Sequence, residues 1–362
     1  MGAPALSTRT DRMTVAACAG GGAVRLESRP RPAPGPGELL LGLRCAGLCG
    51  TDLYKLRWDT AAPGTVLGHE VVGTVEAVGE GAVGFALGDR VVVPHHVACG
   101  VCPLCRRGAE TLCPLFRDSL LAPGGFSESV LVGERAVRLA ACGVPDHLPD
   151  EAAVFLEPAA CVLRGVQRSR LTASAEASAA VLGAGSMGLL HLLLLKALAP
   201  ALRVAVVEPL AERRELARRL GADVAAPPGE EARRAVGELS TGLGADAVFD
   251  TVGGAQALDA ALDLSREGGT VVLFAHGAAG ERAGFALNPF FKSERHLLAT
   301  YSSALAEQRE VWRLLVSRRL DPTPLVTHRL PLSAIALAVE LARERRALKV
   351  LLAPDGLAGG LP

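Results

Sequence analysis

The sequence predicts an α/β protein built from a mostly β part and a part with a doubly wound parallel sheet. Three observations carry this expectation. At 362 residues the chain exceeds one ordinary core, and a prior of roughly 150 residues per domain suggests two. From Thr14 to Glu128 β-forming residues are broken by Gly and Pro, as in "VVGTVEAVGEGAVGFALGDRVVVP", which reads as short strands and turns. After Pro158 buried apolar runs of strand length alternate with amphipathic helices, and that alternation predicts βαβ units.

In chain order, the opening "MGAPALSTRTDRMTV" lacks the apolar core of about 7–15 residues that a signal peptide needs, so it reads as a loose tail before the first strand. The β-rich region follows. The alternating region then runs through "AAVLGAGSMGLLHLLLLKAL", "RVAVVEP", "LAERRELARRLGADVAAP", "DAVFDTVGG", "AQALDAALDLSREGG" and "TVVLFAHG". A last amphipathic helix, "LSAIALAVELARERR", leads into a short strand, "ALKVLLAP". No internal repeat or long low-complexity segment interrupts this order.

Composition narrows the function classes. The 38 basic side chains balance 38 acidic ones, and no basic stripe is visible, which argues against a nucleic-acid binder. The longest apolar segments, such as "LLHLLLLKALAPAL", are interrupted by His191, Lys196 and Pro200 and fall short of the ~20 residues that cross a bilayer. A cytoplasmic location is expected. Thiols stay reduced there, so nine cysteines point to metal or catalysis rather than disulfides.

Within "VLGAGSMG", Gly183, Gly185 and Gly188 stand in G-x-G-x-x-G spacing, with Ser186 and Met187 between the last two, directly after an apolar strand and before a helix. The first glycine makes the tight turn, the second admits a pyrophosphate to the backbone, and the third lets helix and strand pack closely. Glu208 closes the next strand about 20 residues on, where an acid can bond an adenosine ribose. This pattern predicts dinucleotide binding and favours NAD over NADP. Arg213 and Arg214 hold the NADP alternative open against their other reading, a solvated helix face in "AERRELARR".

The run "ACGVCPLCRRGAETLCP" places Cys99, Cys102, Cys105 and Cys113 in C-x2-C-x2-C-x7-C spacing. Four thiolates this close can enclose one Zn²⁺ tetrahedrally, and a closed four-sulfur shell leaves no position for water or substrate. That metal would be structural. Chemistry must then come from other fragments: "LCGTD" with Cys49, "LGHEVVG" with His69 and Glu70, and "FLEPAAC" with Glu157. Each is weak alone.

Taken together, "CGTD", "GHEVVGTVEAVG", "GDRVVV", "CGVCPLCRRGAETLC", "GGFSESV", "EPAAC", "VLGAGSMG" and "LGAD" make the chain resemble, nearly end to end, the zinc-dependent medium-chain alcohol dehydrogenases of the polyol and threonine branch. The resemblance implies a GroES-like catalytic domain, residues 1–163 and 296–362, interrupted by a Rossmann NAD-binding domain, residues 164–295. It makes Cys49, His69 and Glu157 the ligands of a catalytic zinc, with Glu70 beside the metal as an exchanging or supporting group. That gives two zinc ions per chain, one catalytic and one structural. Thr51 matches the hydroxyl that takes the alcohol proton. Lys349 matches a basic residue that reaches the cofactor pyrophosphate in relatives, against the alternative of an ordinary surface lysine.

The implied reaction is hydride transfer between NAD and a secondary alcohol, in the class of polyols, sugars, cyclitols or amino alcohols. A homodimer or homotetramer is implied as well. One departure stands out: Tyr54 occupies the position, five residues after Cys49, where many relatives carry the histidine of a proton relay. His95 falls where relatives line the substrate pocket, against the alternative of a solvated loop histidine. Two other classes remain open at this level. A zinc-free quinone or enoyl reductase on the same fold would lack the metal ligands, and a non-catalytic NAD-binding protein would be expected to have lost one of them.

Overall fold

The computed structural model describes residues 11–356, so the tail expected at the start lies, over residues 1–10, outside the described residues. The chain forms two compact units: Met1–Val97 with Leu115–Val154 and Val326–Pro362, and Ala98–Pro114 with Phe155–Leu325.

The first unit is built on an eight-stranded sheet in the order Val326–Pro331, Lys349–Ala353, Leu39–Gly47, Glu70–Val78, Arg90–Pro94, Cys142–Gly143, with Ser129–Val132 and Leu121–Ala122 branching from Leu39–Gly47. Its pairings are antiparallel, except that Val326–Pro331 runs parallel to Lys349–Ala353. A separate antiparallel hairpin joins Arg12–Gly20 to Ala23–Pro30. Leu39–Gly47 is buried at every position but Arg44, which explains why its sequence, "LLLGLRCAG", is apolar everywhere else rather than alternating. The expected final helix and strand are present as Ile335–Arg343 and Lys349–Ala353.

Between Thr14 and Glu128 two α-helices depart from the expectation of strands and turns alone, a short one at Pro103–Arg106 and a longer one at Gly50–Arg57. Gly50–Arg57 is started by a capping box in which Cys49 Sγ accepts from the Thr51 N–H and the Asp52 carboxylate accepts from the Cys49 N–H. A polar N-cap with an acid three residues later is a helix-start signal that the surrounding β-rich text obscures.

The second unit carries the predicted parallel sheet. Its six strands lie in the order Val224–Ala226, Arg203–Val207, Ser178–Leu182, Ala245–Asp250, Ser265–Leu273, His296–Ala299, which in sequence terms is 3-2-1-4-5-6, the dinucleotide-binding arrangement. The order reverses between Ser178–Leu182 and Ala245–Asp250, and ligands bind beyond the carboxyl ends of strands at such a point. Ala180, Leu182, Val236, Val248, Leu258 and Val271 pack in one core on a face of this sheet. Elsewhere in the unit the helices Leu156–Arg168 and Leu305–Val316 pack together, tied by Arg164 Nη1 to Glu307 Oε1 at 2.9 Å. Among the described residues no helix is long and apolar enough to cross a membrane.

Candidate functional site

Cys49, His69 and Glu70, all in the first unit, bring one ligand atom each to within 4.8 Å of one another. Local structure explains the convergence. Cys49 is fixed as the N-cap of Gly50–Arg57, and Glu70 opens the strand Glu70–Val78 opposite Gly47 in register. A Cβ at Gly47 would lie 1.8 Å from Glu70 Oε2, so only glycine lets the carboxylate lie over the neighbouring strand.

Asp52 is the residue that sequence reasoning passed over, although it stands in the quoted "CGTD". It is 1% exposed, accepts from the Cys49 and Gly68 N–H groups, and lies 3.4 Å from His69 Nδ1. One carboxylate thus braces both the cysteine and the histidine of the cluster, as the outer partners of metal-ligating histidines do. Burial works against its ionised form, but His69 and the hydrogen bonds from His69, Cys49 and Gly68 outweigh it and hold the Asp52 pKa low. Burial likewise opposes charge on His69, yet Asp52 and Cys49 override it and raise that pKa well above the usual histidine value. The signal that could have found Asp52 is its place three residues after an N-cap.

Glu70 has its own counter-ion. Lys349 Nζ lies 2.7 Å from both carboxylate oxygens, with the two side chains only 2% and 0% exposed. This corrects the surface-lysine alternative: the ammonium is buried on the acid of the Cys49–His69–Glu70 cluster. Thr51 sits in the turn that starts at Cys49, its N–H on Cys49 Sγ at 3.5 Å. Tyr54 lies on the same helix, its ring 6.5 Å from that of Trp58.

His95 is no solvated loop residue either. Its ring centroid is 4.6 Å from His69 and 3.7 Å from His96, and His96 in turn packs on Phe116 at 5.0 Å. His95 Nδ1 is buried and has no hydrogen-bond partner among the described residues. Burial, then the charges of His69 and His96, push the His95 pKa well below the usual value, and burial with His69 brings His96 down to about 4. Both rings are therefore neutral at pH 7.

Glu157 belongs to the second unit, in the first turn of Leu156–Arg168, 8% exposed, and accepts from Cys161 Sγ at 3.3 Å.

The four cysteines of the run converge as their spacing predicts, all sulfurs within 4.8 Å. Cys99 to Cys105 is 3.9 Å, Cys102 to Cys105 3.5 Å and Cys113 to Cys99 3.6 Å. A tetrahedral shell with Zn–S bonds of ~2.3 Å has edges of about 3.8 Å, so the donor set fits a closed four-sulfur site. Backbone N–H groups of Val101 and Cys102 draw the Cys99 thiol down to about 6, whereas burial pushes Cys105 up to about 12.

The glycine turn fits a dinucleotide. Helix Ser186–Leu198 starts from Gly185 with no side-chain cap, and Ser186 Oγ is buried without a partner among the described residues. A Cβ on Gly188 would meet the Gly183 carbonyl oxygen at 1.9 Å, which is the close helix–strand approach that spacing predicts. Nothing lies within 4 Å of the corresponding point at Gly185, where the backbone is open to a ligand. Glu208, 5% exposed, accepts from the Ala184 N–H at 2.7 Å and the Leu210 N–H at 3.1 Å, tying the turn to the next strand. Arg214 departs from the solvated-face reading: half-buried, it donates to the Glu208 and Pro209 carbonyls. Arg213 is half-buried too. Met187 contributes its carbonyl to His191 Nδ1 at 2.8 Å.

Comparison with known proteins gives these sites a family. Residues 35–142 match the alcohol dehydrogenase GroES-like domain and residues 186–317 the zinc-binding dehydrogenase domain. Over 307 residues the chain is 32% identical to an L-threonine 3-dehydrogenase of Pyrococcus abyssi, covering 81% of this chain and 84% of that one. The chain belongs to the zinc-dependent medium-chain alcohol dehydrogenase family. A D-altritol 5-dehydrogenase of Agrobacterium fabrum is 33% identical over 320 residues, 86% of this chain and 90% of its own.

Solved dehydrogenase structures share the fold. A zinc-binding dehydrogenase of Sinorhizobium meliloti bound to NADP superposes with a TM-score of 0.84 at 28% identity, over 95% of this chain and 100% of that one. An Escherichia coli alcohol dehydrogenase complexed with NADH gives 0.83 at 26%, over 95% and 100%. The GroES-like plus Rossmann architecture and the alcohol dehydrogenase class are thereby established for this chain. Cys49, His69, Glu70 and the four-cysteine run fall inside the first matched span, while Glu157, Gly183, Gly185 and Lys349 fall outside both.

Proposed function

We propose that the protein oxidises a secondary alcohol of the polyol, sugar, cyclitol or amino-alcohol class with NAD, using two zinc ions per chain. The observation that carries this is the convergence of half-buried Cys49 with buried His69 and Glu70, braced by Asp52 and Lys349. Cys49, His69 and Glu157 are the residues that would hold the catalytic zinc, with Glu70 beside it, and Cys99, Cys102, Cys105 and Cys113 the structural one. The proposed domain division is 1–163 with 296–362 for catalysis and 164–295 for the cofactor, except that strand His296–Ala299 and helix Leu305–Val316 go with the cofactor part, because they lie in the unit that carries the parallel sheet. When bound, zinc supplies a Lewis acid for the alcohol oxygen and NAD the hydride acceptor.

The protein's own residues do the rest. Asp52 fixes the His69 ring through Nδ1, and Lys349 balances the charge of Glu70 so that two acids can share one buried cluster. Thr51, in the turn beside Cys49, offers the hydroxyl that takes the alcohol proton. His95, neutral and with a partnerless Nδ1 among the described residues, is a further acceptor where relatives use a histidine at the position of Tyr54. N–H groups of the Gly183–Gly188 turn, with Ser186 and Met187, bind the pyrophosphate. Glu208 receives the ribose hydroxyls and repels a 2′-phosphate, with Arg213 at its flank.

Nine free cysteines in the described residues support a reducing, cytoplasmic setting. The strand His296–Ala299 has a single neighbour in its sheet, and the nearby Leu287 and Phe291 are 74% and 77% exposed, which supports a homo-oligomer.

The test combines metal counting with a screen of secondary alcohols against NAD and NADP. Two zinc ions per chain, turnover of at least one polyol or amino alcohol, and at least a tenfold preference for NAD are expected, about 1.4 kcal/mol at Glu208. One metal per fully loaded chain, or equal kinetics with NADP, would overturn the corresponding part.

A further inference from the structure

Cys161 stands four residues after Glu157 and Arg164 seven after it, so all three project from one face of helix Leu156–Arg168. The backbone beneath Glu157 is fixed at two points. Pro158 follows it directly and locks its own φ, and Arg164, 8% exposed as a side chain, is held by Glu307 at 2.9 Å. Glu307 is itself committed, since its second oxygen accepts from the Ala304 N–H at 2.8 Å and caps helix Leu305–Val316. With the helix pinned, the orientation of the Glu157 carboxylate depends on rotations of its own side chain. One contact that restrains them is the Cys161 thiol, donating to Oε1 at 3.3 Å.

We propose that Cys161 is a positioning residue for the metal ligand Glu157: its thiol holds Oε1 and thereby sets the carboxylate plane for ligation through one oxygen. The proposal rests on the assignment of Glu157 as a zinc ligand made above. A carboxylate turned the wrong way must reorganise before it can ligate, and a side chain left to rotate loses that freedom on binding. A donor one helical turn away removes both costs in advance, as outer partners of ligating groups do elsewhere.

The test measures metal rather than turnover. Full-length parent, Cys161→Ala, Cys161→Ser and Glu157→Gln are titrated with zinc against a competing chelator, and their Co²⁺ spectra are compared. The Cys99–Cys113 site is common to all four and cancels in the differences. Cys161→Ala removes the donor without adding bulk and should weaken the weaker-binding site about tenfold, with a shifted ligand-field band. Cys161→Ser keeps a donor and should return to within about threefold of the parent. Parent-like affinity and spectrum in Cys161→Ala would overturn the proposal, as would equal weakening in both Cys161 variants, which is the signature of a packing role. Loss of sulfur-to-cobalt charge-transfer intensity in both would also overturn it, because Cys161 would then be a ligand itself. Glu157→Gln separates the two layers: unchanged affinity there removes the ligand assignment and the proposal together, whereas a loss there beside a parent-like Cys161→Ala removes only the positioning role.

Discussion

The Lys349–Glu70 pair offers the sharpest test of how the Cys49–His69–Glu70 cluster is held. Lys349→Met keeps most of the stem and removes the ammonium, leaving the Glu70 carboxylate, 0% exposed, without the cation now 2.7 Å away. Breaking a buried pair from one side costs about 3–5 kcal/mol, because the remaining charge stays in a poorly solvating interior. For a unit of this size each kcal/mol is worth roughly 2–4 °C, so Tm should fall by roughly 6–20 °C. Lys349→Met/Glu70→Gln removes both charges and should recover much of that loss, giving a coupling energy of about 2 kcal/mol or more from the four-protein cycle. The assay is thermal melting of parent, single and double variants at one fixed zinc concentration, since any metal bound to the folded state shifts Tm by mass action. If Lys349→Met melts within about 2 °C of the parent, or if the double variant loses the sum of the singles, the two groups are not held as a buried ion pair and the account of the cluster fails.

The remaining expectations are shorter. Cys102→Ser should lower stability or solubility, because a structural zinc contributes folding free energy directly, while Cys49→Ser should remain folded and bind NAD with little activity; melting and cofactor titration of both variants check this. His191 is fully buried against Phe249 and Phe274, and burial holds its pKa down at about 4. Above the unfolded value near 6.5 it costs nothing; below it the unfolded chain takes a proton that the native state refuses, so stability is lost as pH falls. Between pH 6.5 and 5 this amounts to roughly 2 kcal/mol, and His191→Leu should flatten that part of the stability–pH curve; equal slopes in parent and variant would remove His191 as the cause. Thr51→Val keeps the side-chain shape without the hydroxyl and should cost about 10²-fold or more in turnover, against less than tenfold for Tyr54→Phe. Parent-rate turnover in Thr51→Val, with chemistry rate-limiting, would send the proton elsewhere.

The parallel sheet was the most legible element, for a physical reason. A strand buried on both faces must be apolar throughout, and the helices covering it must be amphipathic, so "RVAVV" or "AVFD" beside "AERRELARRL" leaves few alternatives. Gly188 was legible because the backbone approach it permits admits no side chain at all. The four-cysteine cluster was equally open, since its ligands are local and the shell is satisfied by chain spacing alone. The helix Gly50–Arg57 was not, because eight residues give too little periodicity to compete with the β-rich text around them.

What could not be read were partnerships between residues distant in sequence. Lys349 and Glu70 are 279 residues apart, and nothing in "ALKVLL" distinguishes a buried lysine from an exposed one until strand Lys349–Ala353 is laid beside Leu39–Gly47, which in turn pairs with Glu70–Val78. Asp52 and His69 are closer, yet their contact depends on a helix that the pattern did not announce. Residues that carry a reaction must be of particular chemical types, and types are visible in a sequence. Residues that orient them need only reach, and reach is a property of the fold. The supports of this cluster, Asp52 and Lys349, belong to the second kind, so the same motif letters on a chain with a neutral residue at 349 would leave Glu70 buried and unbalanced. The pattern "GHE" therefore implies a basic residue on the neighbouring strands, and a search for that cation is the step that would have found Lys349 from sequence.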